Sequence, residues 1–529
     1  MYDILIKKGT VIDGSGRPMF QADVAIREGA IMAIGELSHE RGELEIDASG
    51  KYVTPGFVDV NNHSDTYWQL FKTPFQESLL YQGVTTIIGG NSGSSLAPLT
   101  SSETIRSIQK WTDVQKINFN WLRMNEYLNE LKRRGLGVNF ATLVGHGTLR
   151  RGVMHDVART ITPDDIAIME RLLESALKEG AIGLSTGLHY THARDAGARE
   201  ITTLVKTVVE KKGVYATYVR DEEAGLVAAV EEALNVAKAT GVTLHISHLK
   251  AVGEAHWDQM KLALELIEVK ALEGINVTFD VYPYTQTGSV LYTLFPEWIT
   301  KDGRQMMMAK LRDPQTKQAV LRDLKTKNIN YDQILISASS LSRMLSRRRI
   351  SEIALLQGST PEQTLLDFLL ASDGHAIVSL EVLSPKNVRD AIQHPFSIIA
   401  SNSAGYNIEH KHTGELVHPR SFGTFPRVLR EYVREEKILS WEEAIHKMTG
   451  KPADVFRLEK RGTLAQGYVA DVVVLDPNTV TDNATLENPY QYATGIETVI
   501  INGELALTKG TVIPLKRGKI LMPKRGWFS

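Results

Sequence analysis

The chain of 529 residues contains no cysteine. Disulfide bonds, cysteine-ligated metal sites and a thiol nucleophile are therefore excluded, and the absence fits a reducing compartment. An excess of one charge is also lacking, because 60 basic and 62 acidic residues leave a formal net charge of -2. No global field then favours nucleic acid or an anionic membrane, so we expect neither as a partner.

Long apolar runs are missing as well. No stretch approaches the roughly 18 to 20 uninterrupted apolar residues of a membrane span. The first residues lack the charged segment and long apolar segment that mark a secretory signal. From these absences we expect a cytoplasmic protein, and the sequence leaves open whether it forms a homo-oligomer.

The middle of the chain alternates short apolar runs with amphipathic helices, which predicts βα units and a parallel sheet. Eight runs read as strands, the number that a (β/α)₈ TIM barrel requires. They are Phe57 to Val60, Thr85 to Ile88, Phe140 to Val144, Ile182 to Leu184, Val214 to Thr217, Thr243 to Ser247, Val277 to Val281 and Ser397 to Ser401.

The two chain ends read as short strands separated by turns. We expect residues 1–55 and 463–529 to fold together as a small β-sandwich domain. Residues 56–462 would form the α/β barrel. The stretch from about 288 to 350 fits the alternation poorly and predicts an inserted subdomain.

Polar side chains follow the predicted barrel strands almost at once. Barrels of this kind place their sites at the carboxyl ends of the strands, so these residues predict a site there. They are Asn61, Asn91, His146, Ser185, Tyr218, His248, Tyr282 and Asn402.

Five segments carry a specific resemblance. They are Gly145 to Arg150 (GHGTLR), Gly183 to Leu188 (GLSTGL), His245 to Lys250 (HISHLK), Asp280 to Tyr284 (DVYPY) and His418 to Arg427 (HPRSFGTFPR). Together with both chain ends, they resemble the N-acyl-D-amino-acid deacylase (D-aminoacylase) branch of the amidohydrolase superfamily over almost the whole chain. The resemblance implies an amidohydrolase-type barrel and hydrolysis of an N-acyl amino acid by zinc-activated water.

The resemblance also implies a metal cage that this chain does not keep. At the family's ligand positions, His63 and His248 remain, but Asn61 and Tyr218 replace histidines and Ser92 replaces a cysteine. Asn402 stands where the family has the aspartate that shuttles the proton. We therefore expect no metal bound in the family's manner, and zinc only if His63 and His248 still hold it.

The candidate site residues have different predicted roles. His63 and His248 are predicted to transfer protons or contact the ligand, whereas Asn61, Tyr218 and Asn402 would polarise it; filling of the vacated space remains open for these three. The resemblance implies substrate contacts for another group, with structural ion pairing as the alternative for its two cations. That group is Tyr190, Lys250, Tyr282, Arg420 and Ser92.

Three functions follow from these expectations. The first is a metal-independent enzyme that acts on a small, carboxylate-bearing amide or related C–N compound, by hydrolysis, condensation or cyclisation. The second is a non-catalytic binding or assembly protein on the same fold. The third is a conventional zinc-dependent N-acyl-D-amino-acid deacylase.

Overall fold

The computed structural model describes residues 1–108, 118–155, 159–301, 303–327, 329–339 and 347–523. Its strands are β1 (Tyr2–Val11), β2 (Phe20–Arg27), β3 (Ala30–Gly35), β4 (Gly42–Asp47), β5 (Tyr52–Pro55), β6 (Phe57–Asp59), β7 (Val84–Gly89), β8 (Asn139–Thr142), β9 (Val144–Gly145), β10 (Gly183–Gly187), β11 (Val214–Tyr218), β12 (Thr243–Ile246), β13 (Val277–Val281), β14 (Gln286–Val290), β15 (Ile334–Ser339), β16 (Ala376–Glu381), β17 (Ser397–Ile399), β18 (Val472–Leu475), β19 (Ile496–Ile501), β20 (Glu504–Thr508) and β21 (Thr511–Val512).

The helices alternate with the central strands. They are α1 (Gln69–Lys72), α2 (Glu77–Leu80), α3 (Met124–Arg134), α4 (His146–Met154), α5 (Pro163–Glu179), α6 (Thr191–Arg194), α7 (Ala198–Glu210), α8 (Leu226–Thr240), α9 (Asp258–Leu272), α10 (Glu297–Thr300), α11 (Gly303–Lys310), α12 (Pro314–Thr326), α13 (Ile350–Gln357), α14 (Pro361–Ala371), α15 (Pro385–Gln393), α16 (Arg420–Arg427), α17 (Trp441–Met448) and α18 (Gly450–Val455). None of the helices in the described part of the chain combines the length and apolar character that a membrane span needs.

The central strands form a parallel barrel. Strands β6, β7 and β8 pair in order, and β9 to β13 continue in order to β17. Strands β8 and β9 are separated only by Leu143, so we count them as one barrel strand. A parallel bridge between Asn62 and Ser403, with the His63 N–H donating to the Ser403 carbonyl at 2.7 Å, joins the first strand to the last. The eight predicted strands and the predicted fold class are thus confirmed.

Strands from the two chain ends share one sheet. Strands β1 to β5 and β18 to β21 together form one nine-stranded sheet. The junction is the antiparallel pair of β5 and β18, which aligns Val53 with Val474. Apolar side chains from both ends, among them Ile6 and Val472, pack in one core cluster. The domain boundaries at residues 55 and 463 stay a prediction.

The insertion beside the barrel is longer than the sequence suggested. Strands β14, β16 and β15 form a separate antiparallel sheet with β16 at its centre. Because β16 spans Ala376–Glu381, the predicted end near residue 350 falls inside this unit. The unit also has its own apolar core, which includes Leu291, Ile336 and Leu365.

Candidate functional site

A cavity lies at the carboxyl ends of the barrel strands. It encloses about 800 Å³, counted out to its mouth. Residues at or after the ends of β6, β7, β10, β11, β12 and β17 line it, and the insertion supplies a further wall. That wall consists of Thr287, Gly288, Ser289, Thr293, Leu294 and Leu380. The predicted site region is therefore a real concavity of the size that small ligands use.

Three lining residues have left-handed backbones. Ser92, His248 and Asn402 have φ values of 51°, 37° and 46°. This conformation is uncommon for side chains other than glycine, and each instance costs of the order of 1–3 kcal/mol. The loop that carries Ser92 is also tightly seated, because a Cβ at Gly187 would lie 2.2 Å from the Ser92 carbonyl oxygen. The surrounding structure thus fixes these three residues in costly conformations at the cavity.

His63 and Asn402 form a buried pair across the closure of the barrel. His63 Nε2 lies 2.9 Å from Asn402 Oδ1. Burial lowers the pKa of His63 to about 4, so the ring is neutral at neutral pH. With the amide oxygen facing it, Nε2 carries the proton and donates, which leaves the lone pair on Nδ1. His63 can therefore accept a proton at Nδ1.

Four residues from β11, the loop after it and the loop after β12 form a connected polar network. The Tyr218 hydroxyl donates to Glu222 Oε2 at 3.1 Å, and Lys250 Nζ donates to Glu222 Oε1. Lys250 Nζ also lies 2.9 Å from His248 Nδ1. All four side chains are buried. We refer to Tyr218, Glu222, Lys250 and His248 as the lysine network.

Aromatic rings pack around the phenol of this network. His189 stacks on Tyr218 with ring centroids 5.1 Å apart, and Tyr190 meets Tyr218 edge-on at 5.4 Å. The His248 ring lies 4.4 Å from Tyr218, also edge-on. Burial raises the pKa of Tyr218 well above its usual value, so the hydroxyl keeps its proton. This packing leaves the phenol little freedom to move.

Asn61 lies beneath the cavity and does not line it. Its Nδ2 is 3.3 and 3.2 Å from the two carboxylate oxygens of Asp280. His245 Nε2 lies 2.9 Å from Asp280 Oδ2, on another side of the same carboxylate. Asn61 is fully buried, and its Oδ1 has no hydrogen-bond partner among the described residues. The structure therefore gives Asn61 a buried contact with Asp280.

Arg420, the first residue of α16, presents the cavity with an unpaired cation. The residue is 6% exposed, and its Nε and Nη1 have no hydrogen-bond partner among the described residues. Its guanidinium lies 4.7 Å from the centre of the Tyr282 ring. The insertion passes close by, because a Cβ at Gly288 would be 3.7 Å from Arg420 Nη2. A buried guanidinium with free N–H groups is suited to bind an anion.

Most of the predicted site residues meet at this cavity. Those that line it are His63, Ser92, Tyr190, Tyr218, His248, Lys250, Asn402 and Arg420. Asn61 and Tyr282 stand behind the lining, on Asp280 and Arg420 respectively. The catalytic and substrate roles of all ten stay predictions.

The sequence reasoning missed Glu222, His189 and Tyr67, which also line the cavity. Glu222 follows the carboxyl end of the predicted strand Val214 to Thr217 by a few positions. His189 follows the GLSTGL segment directly and precedes Tyr190. Proximity to a strand end was thus a usable signal for both residues.

Comparison with known proteins agrees with this architecture. A family model described as "Amidohydrolase family" matches residues 44–506. D-aminoacylase from Alcaligenes xylosoxydans xylosoxydans is 34% identical over 502 residues, which cover 95% of this chain and 94% of the relative. The chain belongs to the N-acyl-D-amino-acid deacylase branch of the amidohydrolase family. The predicted family is confirmed.

Other members of the branch are similar over nearly their whole length. N-acyl-D-aspartate deacylase from the same organism is 33% identical over 98% of this chain and 95% of the relative. The structure of N-acyl-D-glutamate deacylase from Bordetella bronchiseptica superposes with a TM-score of 0.84 at 30% identity, over 99% of this chain and 100% of that one. That structure is a complex with zinc and a phosphonate inhibitor that mimics the tetrahedral intermediate of the reaction.

The donors around the cavity do not fit the zinc ion that the resemblance implies. Among the described residues, no group of three or more His, Cys, Asp or Glu side chains is arranged to hold a metal ion. His248 Nδ1 faces the Lys250 ammonium, and His63 Nε2 faces Asn402. Zinc sites offer three or four protein ligands, so two histidines already engaged in hydrogen bonds are a poor set.

Proposed function

We propose that this protein acts on the C–N bond of a small N-acyl amino acid or related amide, and that Arg420 binds the substrate's carboxylate. Its membership of the amidohydrolase family supports the reaction class. The observation that carries the proposal is the buried Arg420 guanidinium, two of whose nitrogens, Nε and Nη1, have no hydrogen-bond partner among the described residues. No acidic side chain among the described residues forms an ion pair with it.

Burial makes an anionic ligand the natural partner of Arg420. A charged donor that is buried without a partner loses its hydration, and no hydrogen bond offsets that cost in free energy. A carboxylate accepts two parallel hydrogen bonds from one guanidinium and neutralises its charge. The other cation that lines the cavity in the described residues, Lys250, is already neutralised by Glu222. The carboxylate is therefore assigned to Arg420 rather than to Lys250.

The relatives suggest which amides to test first. The names of the similar enzymes specify N-acyl-D-aspartate and N-acyl-D-glutamate as substrates. A cavity of about 800 Å³ accommodates molecules of this size. We therefore propose N-acyl-D-amino acids as the substrate class, with the identity of the side chain to be set by experiment.

A panel of matched ligands tests the proposal. N-acetyl-D-amino acids, their L enantiomers and the same compounds with a carboxamide in place of the carboxylate are compared by thermal shift and by release of free amine. We expect the free D-acids to raise the melting temperature and to release amine, and the carboxamides to do neither. Equal shifts from acids and carboxamides would contradict the carboxylate site. Saturable binding without amine release would retain the site but favour the non-catalytic role.

A further inference from the structure

We infer that His248, held in one tautomer by Lys250, polarises the substrate's acyl oxygen at the place where a metal ion would otherwise act. The inference deepens the proposed function and rests on it for the identity of the substrate. It assigns Lys250 a positioning role and His248 a catalytic one. The protein would then turn over its substrate without zinc.

The tautomer follows from the donors around the ring. Lys250 Nζ is an ammonium with three protons and no lone pair, so at 2.9 Å from His248 Nδ1 it can only donate. Nδ1 is therefore the acceptor, and the ring proton of the neutral imidazole lies on Nε2. The Glu222 carboxylate is farther from Nδ1, at 3.4 Å, and Lys250 Nζ donates to both groups. His248 thus offers an N–H donor by its other nitrogen.

The same contacts oppose binding of a metal ion at His248. An ion coordinated at Nδ1 would need the lone pair that accepts the Lys250 proton. An ion at Nε2 would require the ring proton to move to Nδ1, where it would face the ammonium. Lys250 would have to leave its place before His248 could serve as a ligand.

Glu222 and Tyr218 complete the arrangement. Glu222 neutralises Lys250, so the pair adds no net charge to the cavity. The Tyr218 hydroxyl donates to the second oxygen of Glu222, and its ring packs edge-on against His248. The lysine network is therefore electrically balanced without a metal ion, and a hydrogen-bond donor is fixed at its end.

The chemical step can be written with this chain's own residues. His248 Nε2–H donates to the acyl oxygen, as fixed donors do in sites that stabilise an oxyanion. His63 Nδ1 accepts a proton from water as the water oxygen bonds to the acyl carbon. The C–N bond then breaks, and His63 gives that proton to the leaving nitrogen. Water and amide are thus converted to a carboxylic acid and an amine.

Metal content gives the first test. The full-length protein is incubated with excess zinc, desalted, and analysed by mass spectrometry for metals. We expect fewer than about 0.1 zinc per chain, because a lasting site needs three or four ligands. One zinc per chain retained through desalting would overturn the inference, whichever substrates the protein accepts.

Nitrogen NMR of histidine-labelled protein gives the second test. The signals of His248 are assigned by their loss in His248→Gln. We expect Nε2 protonated and Nδ1 unprotonated in the native protein. We also expect Lys250→Met to change both signals, whereas the control Lys386→Met, at an exposed lysine on α15, leaves them unchanged. A proton on Nδ1 in the native protein, or unchanged His248 signals in Lys250→Met, would overturn the assignment.

These two readouts need no substrate, so they separate the inference from the proposed function. If no N-acyl amino acid binds, the proposed function fails while the zinc and tautomer results still decide the state of His248. If the substrate is turned over only by zinc-loaded protein, the inference fails and the substrate class stands.

Discussion

Arg420 and the lysine network line the same cavity but differ in how far their polar groups are paired. Arg420 is buried, and two of its nitrogens, Nε and Nη1, have no partner among the described residues. In the lysine network, by contrast, hydrogen bonds connect Tyr218, Glu222, Lys250 and His248 in sequence. Unpaired buried donors on a cation indicate where a ligand's negative charge binds, whereas a balanced network needs no ligand to neutralise its charges.

The difference also distinguishes the role of Lys250 from that of Arg420, which the sequence alone could not do. Lys250 and Arg420 were both predicted to contact a carboxylate, with ion pairing as the alternative. The structure pairs Lys250 with Glu222 and leaves Arg420 without an acidic partner among the described residues. Specificity for an anion would therefore lie with Arg420, and Lys250 would act through His248.

The largest expected effect concerns the charge balance of the network. Glu222→Gln leaves the Lys250 ammonium buried without its counter-charge, so we expect the free energy of unfolding in urea to fall by about 3–5 kcal/mol. The double variant Glu222→Gln with Lys250→Met should recover most of this loss. Glu231→Gln, at an exposed position on α8, is the control. A loss below about 1 kcal/mol would show that the pair is not desolvated.

Low pH should destabilise the fold, because the cavity contains histidines that are neutral in the folded protein. The pKa of His63 is about 4 in the folded protein against 6.5 for an ordinary histidine. Between these values the unfolded chain binds a proton that the folded chain does not. The free energy of unfolding should therefore fall as the pH drops from about 6.5 to about 4, with a contribution from His63 of about 3 kcal/mol.

Urea unfolding at several pH values measures this dependence. The free energy of unfolding should change less steeply with pH in His63→Gln than in the native protein. An identical slope in the two proteins would mean that His63 does not stay neutral in the fold.

Removal of the unpaired cation should affect binding more than folding. Arg420→Gln replaces two charged hydrogen bonds to the carboxylate, and we expect the Kd of the best N-acyl amino acid to rise by about 100-fold. Arg133→Gln, at an exposed position on α3, serves as the matched control. A carboxamide analogue should bind the native and Arg420→Gln proteins equally. A change in Kd below about 3-fold would place the carboxylate elsewhere.

The smallest expected effect tests the far end of the network. Tyr218→Phe removes the hydroxyl that donates to Glu222 but keeps the ring against His248. We expect a loss of about 1 kcal/mol in the free energy of unfolding, because one hydrogen bond to a carboxylate is lost. An unchanged stability would show that the ring alone, and not the hydroxyl, supports the network.

Much of the fold could be predicted because its signals are local. The apolar runs that became β6 to β13 and β17 are bounded by turns and separated by amphipathic helices. The insertion was placed too short because β16 lies after α14, far along the chain from its partner β14. When two paired strands are separated in the chain by several helices, neither strand's sequence indicates its partner.

The site was predictable in position but not in its contacts. Residues that follow barrel strands do meet at the cavity, as His63, His248 and Asn402 show. The direction of a side chain depends on partners that are distant in sequence, and Asn61 is held by Asp280 from another strand. The position of Glu222 after a strand end was readable from the sequence, but its ion pair with Lys250 was not, because only the folded chain brings the two together.

The most direct test of the account is calorimetric titration of the best-binding N-acyl amino acid into protein stripped with a chelator. If Arg420 supplies the attraction and no metal ion takes part, as we propose, the Kd is the same before chelation, after chelation and after addition of zinc. Binding that disappears on chelation and returns with zinc would contradict the account.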